Sequence, residues 1–108
     1  MNIINCTPHT ITVISKEEKR DYPASGTIPR VLTLVNNARE VDGIPCIAQK
    51  LGDVEGLPDP QPDTVYIVSG MVFSASERAD LVAPDTGNTC IRENGQIVAV
   101  TRFIVKGQ

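Results

Sequence analysis

Tryptophan is absent, and two Tyr and two Phe are the only aromatic residues, so any core must be built mainly from aliphatic side chains. The single histidine, His9, leaves no His-based zinc site at the usual spacings. Three cysteines, Cys6, Cys46 and Cys90, stand far apart with no Cys-x-x-Cys pair. That odd set, without a secretory leader, predicts free thiols in a reducing compartment. No basic stretch followed by an apolar core opens the chain, and no apolar run approaches the roughly 20 residues that span a bilayer. The expectation is a cytoplasmic protein that does not enter membranes. The Gly-x-x-x-Gly spacing of Gly52 and Gly56 is not a phosphate loop, since no Lys-Ser/Thr follows and no helix opens there, so turn chemistry and no cofactor are expected. Positive charge is scarce too. With net charge −3 and pI near 5.0, non-specific nucleic-acid binding is not expected, since phosphate contacts need a clustered basic surface.

What remains is ordinary for one folded domain spanning residues 1–108, with 41% hydrophobic and 21% charged residues. The stretch Thr64–Ser76 carries no charge and opens with Val65, Tyr66, Ile67 and Val68, all strong strand formers. Consecutive apolar residues predict a strand covered on both faces, running over Thr64–Val72 with Gly70 as a bulge or close-approach point. Ser74-x-x-Glu77 fits a capping box, which predicts a short helix near residues 75–82 stopped by Pro84.

Elsewhere, Ile11–Ile14 alternates as a half-buried strand, and Lys16–Asp21 is a solvated hairpin end. Ile28–Val35 is a strand. Asp42-Gly43 and Asn94-Gly95 favour the left-handed angles of type I′ hairpins. Leu51–Asp63, with three prolines and two glycines, is a stiff ordered loop. Gln96–Lys106 is apolar on both faces and predicts a doubly covered last strand. The fold class is mainly β: a small barrel or sandwich of six to seven short strands with one short helix.

Candidate chemistry is sparse. Asp85-Thr86-Gly87 has the triplet of retroviral-type aspartic proteases, which share a proton between two carboxylates. It follows Ala83-Pro84 and not an apolar strand, and Ile97-Val98-Ala99 lacks the later supporting glycine, so a polar turn is expected. Cys6 and His9 point to opposite faces of an extended chain unless Pro8 bends it. No catalytic residue is assigned. Arg78 offers a bidentate fork to phosphate or carboxylate, and Ser74 and Ser76 lie with it and Asp80 near a helix N-terminus. Together with Thr7 and His9, these four form the expected ligand-binding set.

The segments Ile4-Asn5-Cys6-Thr7-Pro8-His9-Thr10-Ile11, Gly52-Asp53-Val54-Glu55-Gly56-Leu57-Pro58-Asp59-Pro60, Thr64-Val65-Tyr66-Ile67-Val68-Ser69 and Arg78-Ala79-Asp80-Leu81 resemble a family of small proteins encoded in bacteriophage and prophage genomes. The resemblance runs from the N-terminus to about Pro84, with Gly95-Gln96-Ile97-Val98 in similar style. It implies a genomic setting more than a mechanism. Phage accessory proteins of this size often bind a host protein or sequester a small molecule, sometimes a nucleotide signal used in defence.

The expected function is therefore non-catalytic: binding of a host protein or of a small anionic ligand by a homo-oligomer, since exposed strand edges pair readily. Two alternatives stand beside it. One is a small hydrolase on a nucleotide or peptide using His9 with Asp80 or Asp85; the other is a structural virion component.

Overall fold

The computed structural model describes residues 1–106. It is mainly β, with one short helix. In chain order the elements are β1 (Asn2–Asn5), β2 (Ile11–Ser15), β3 (Glu18–Tyr22), β4 (Arg30–Val41), β5 (Ile44–Glu55), β6 (Thr64–Ile67), α1 (Gly70–Ala75), β7 (Leu81–Pro84), β8 (Ile91–Glu93), β9 (Gln96–Ala99) and β10 (Phe103–Ile104). No helix among the described residues is long and apolar enough to cross a membrane.

The body is a four-stranded sheet in the order β1-β6-β7-β10. β6 runs parallel to both neighbours, pairing Asn5 with Ile67 on one side and Ile67 with Val82 on the other. Tyr66, Ile67 and Val68 are accordingly buried, and the expectation of a doubly covered central strand holds for these residues. Tyr66, Val68, Cys6, Val72 and Leu81 form the core cluster, against which Val31, Val54 and Leu57 pack. Three hairpins surround the sheet: β2–β3, β4–β5 and β8–β9. Val13 bridges Val100, and Asn5 bridges Ala24, so the small sheets are stitched at their ends. None of the sheets closes on itself.

Several boundaries differ from the sequence reading. The helix occupies Gly70–Ala75, not 75–82, and Ser69 caps it by accepting a hydrogen bond from the Val72 amide at 3.3 Å. Ser76 is already extended, because the Tyr66 amide donates to the Asp80 carbonyl and β7 must start at Leu81 to pair with β6. A helix through 82 would remove those partners. Gly70 therefore opens a helix, with open space where a Cβ would sit, and is neither bulge nor close approach.

The described residues form ten strands where six to seven short ones are expected; β4 and β5 are twelve residues each, and Gln96–Lys106 splits at Val100–Arg102 into β9 and β10. Ile97, Val98, Ile104 and Val105 remain exposed, so that segment is not covered on both sides. Leu51–Glu55, expected in the stiff loop, completes β5. The three prolines of that stretch, Pro58, Pro60 and Pro62, lie beyond Glu55, and a bulge between Val31 and Thr33 takes up the extra residue of β5. Gly52 is required in that bulge: a Cβ there would lie 2.9 Å from the Leu32 carbonyl oxygen. Both expected type I′ turns are present, with φ of 52° and 77° at Asp42 and Gly43 and of 51° and 80° at Asn94 and Gly95.

The β4–β5 ribbon is the least compact part of the molecule. Its root, Val31 and Val54, packs on the core, but from Leu32 to Leu51 every residue except Cys46 is exposed. The molecule is elongated accordingly, with extents of 53 × 37 × 30 Å.

Candidate functional site

The residues expected from sequence fall into two groups with internal partners. Asn5 sits 2% exposed at the end of β1. Its Oδ1 accepts from the Thr7 amide at 2.9 Å and the Thr7 hydroxyl at 2.7 Å, while its Nδ2 donates to the His9 and Tyr22 carbonyls, each at 2.7 Å. The one Thr7 hydroxyl hydrogen is shared between Asn5 and the His9 carbonyl, and Thr7 is buried. Thr7 is thus part of a knot that turns the chain, and His9 contributes its carbonyl to that knot while its side chain is exposed. Cys6, beside them, is buried. Burial pushes its thiol up from the ordinary value, opposed by the Ser25 hydroxyl and the Arg78 charge, so it is a poor nucleophile.

Arg78 is a clip between chain segments. Its Nε and Nη2 fork onto the two Asp80 carboxylate oxygens at 2.9 and 2.7 Å, and Nη1 donates to the Pro58 carbonyl at 2.8 Å. The guanidinium also lies 5.8 Å from the centre of the Tyr66 ring. Ser76 accepts from the Arg78 amide, while Ser74 is exposed on α1. An open groove of about 480 Å³ adjoins this clip, but Asp53 and Glu77 line it along with Arg78. An anion there would meet two lining carboxylates and one cation.

The Arg78 fork holds the Asp80 carboxyl below the ordinary carboxylate range, against the opposing effect of partial burial. Asp80 therefore binds its proton less tightly folded than unfolded. The stability it contributes is complete above the unfolded value and is lost as pH falls through the lower folded one. Arg78→Ala is expected to destabilise the fold by about 2 kcal/mol, the loss of charge-assisted hydrogen bonds in a partly buried pair. Urea unfolding checks this, and Asp80→Asn should flatten the acid limb of the stability curve.

A second cleft, of about 490 Å³, opens between the β2–β3 hairpin and β10. Ile3 and Val13 are among its apolar lining residues, and Lys16, Arg20 and Arg102 bring three cations to it against the single carboxylate of Glu18. Tyr22 and Phe103 add an aromatic pair with ring centres 6.4 Å apart. The hairpin and the β9–β10 segment are held together by backbone bonds: the Ile14 amide donates to the Val100 carbonyl and the Val100 amide to Thr12, both at 2.9 Å.

Strand parity builds the hairpin side of this cleft. Glu18, Arg20 and Tyr22 alternate onto one face, whereas Asp21 faces away and accepts from the Thr12 hydroxyl at 2.6 Å. Tyr22 first, and then Glu18, hold the Arg20 guanidinium further toward its charged form. On the opposite wall, Arg102 Nε donates to Asp85 Oδ2 at 2.5 Å. Arg102, then the Gly87 amide, keeps the Asp85 carboxyl below the ordinary range. Asp85 also accepts from Gly87 at 3.0 Å, so the Asp-Thr-Gly triplet is a polar turn, here following a strand.

The turn carrying Lys16 is conformationally expensive. Lys16 and Glu17 adopt φ of 52° and 64°, angles for which Asn-Gly would be the undemanding choice. Glu17→Gly should therefore raise stability by about 1 kcal/mol while keeping the Lys16 cation. A lowered urea midpoint would contradict that reading of the turn.

Sequence reasoning passed over Lys16, Arg20, Tyr22, Arg102 and Phe103. The period-two spacing of Arg20 and Tyr22 was visible, but nothing local places Arg102 and Phe103 across from them. No family model, no curated protein and no solved structure matches the chain.

Proposed function

We propose that the chain is a non-catalytic binding protein that takes up a small anionic ligand of nucleotide type in the cleft between β2–β3 and β10. The observation that carries this reading is the gathering of Lys16, Arg20 and Arg102 around one cleft with a single carboxylate. Arginine forks suit phosphate oxygens, and the Tyr22–Phe103 pair offers a surface for a planar ring. Glu18 is bound to Arg20 at 2.8 Å, so the only carboxylate in the cleft is occupied and not free to act as a base. The body, a four-stranded sheet faced by short hairpins, is read as a small sandwich that holds the cleft open. The phage setting, with a role in sequestering a defence signal, draws on the sequence resemblance.

Calorimetric titration with a nucleoside monophosphate tests the reading. Arg20→Ala and Arg102→Ala should each weaken binding about tenfold, one charge-assisted hydrogen bond apiece. Recovery of the nucleotide chemically intact supports sequestration. Turnover to product would replace it with the hydrolase alternative.

A further inference from the structure

The β4–β5 ribbon joins a small body to a surface that a lone chain does not cover. Of the fourteen exposed large hydrophobic residues among those described, seven lie on this one ribbon. The register sorts them onto both of its faces. Leu34, Val41 and Ile44 share one face, and Val35, Ile47 and Leu51 the other. Both outer strand edges are open, since β4 and β5 pair only with each other. An isolated two-stranded ribbon is at best marginal in water, and three or more strands or a packed face are needed to hold one. Here only the root, Val31 and Val54, is packed on the core.

We propose that this ribbon is a dimerisation arm, clasped by the same arm of a second copy of the chain. Three observations select a second copy as the occupant. Charge is nearly balanced along Arg30–Glu55, three basic residues against four acidic, so copies neither repel one another nor call for a strongly charged partner. The area fits a weak, concentration-dependent dimer. Twelve-residue strands run about 40 Å and form a ribbon about 10 Å wide, giving about 400 Å² on each face. One face from each arm buries about 800 Å² in all, the low end for specific association. Finally, two arms stacked face to face put four strands of matched length into two layers, which supplies the packed face a lone ribbon lacks. Isologous contact of this kind closes at two copies and leaves the cleft between β2–β3 and β10 outside the interface.

Sedimentation of the full chain tests the proposal. The wild type should run at twice its 11.7 kDa mass. Val35→Lys combined with Ile47→Lys, which place charge on one arm face, should return it to a monomer with unchanged circular dichroism. Hydrogen exchange of the wild type gives an independent readout: arm amides should gain protection as protein concentration rises, while body amides do not. A wild-type monomer at every soluble concentration, or arm exchange independent of concentration, overturns the proposal. So does a monomer that co-sediments with phosphatidylcholine vesicles, which would give the arm to a bilayer surface.

Discussion

Replacing Asn5 by alanine is expected to lower folding stability by about 3 kcal/mol, near the top of the range for a single substitution. The side chain is buried and engages four backbone or hydroxyl groups across three segments: the Thr7 amide, the Thr7 hydroxyl, and the carbonyls of His9 and Tyr22. Truncation removes the partner of the buried Thr7 amide and of the Tyr22 carbonyl and leaves the Thr7 hydroxyl only the His9 carbonyl, and partial satisfaction of such a network is its worst case. Asn5→Asp should be no better. It keeps the shape but sets carboxylate oxygens against two carbonyls. The effect should reach the cleft as well, because Asn5 holds the Tyr22 carbonyl and so the end of β3. Urea unfolding followed by circular dichroism measures the loss, and an Asn5→Ala protein within about 1 kcal/mol of wild type would show that the knot is decorative.

Leu81→Ala is expected to cost about 3 kcal/mol or more, by transfer of the lost side-chain atoms plus the cavity they leave. Leu81 is 0% exposed, opens β7, and lies in register with Tyr66 on the central strand. Its neighbours are Tyr66 in β6, Val68 just past the end of β6 and Cys6 just past the end of β1, so the site cannot collapse by shifting one side chain. With so few aromatic residues, the chain has little other bulk to redistribute. A mild loss with an unchanged urea slope would mean that the body repacks freely. Together with Asn5, this substitution separates the two supports of the body: an apolar cluster around β6, and a polar knot at the end of β1.

How much of this was legible in the sequence varies with how local the determining forces are. The centre of the sheet could be read directly, because four consecutive apolar residues at 65–68 admit few outcomes other than a covered strand. The tight turns at Asp42-Gly43 and Asn94-Gly95 could be read as well, since those dipeptides fit left-handed angles at little strain. The helix was misplaced because the Ser74–Glu77 capping box is a local preference, and the pairing of Leu81 and Val82 with β6 overrides it. Apolar residues on both faces of Gln96–Lys106 predict burial, yet Ile97, Val98, Ile104 and Val105 lie exposed.

The candidate site was less legible than the fold, for the same reason. Thr7 and His9 are expected as ligand contacts, yet the Thr7 side chain and the His9 carbonyl are engaged within the fold. Arg78 looks free in sequence, but Asp80 and the Pro58 carbonyl take its hydrogen bonds. The charged run Lys16–Asp21 looks like a solvated tip. Only tertiary pairing of the hairpin with Val100 brings Arg20 and Tyr22 opposite Arg102 and Phe103.

The most direct test of the account is where a nucleoside monophosphate binds, followed by nuclear magnetic resonance on the uniformly labelled chain. The account predicts shifts concentrated at Lys16, Arg20, Tyr22, Arg102 and Phe103, weakening as salt is raised, with the nucleotide unchanged at the end. Shifts confined to the Ser76–Asp80 corner, or no shifts at all, would contradict it.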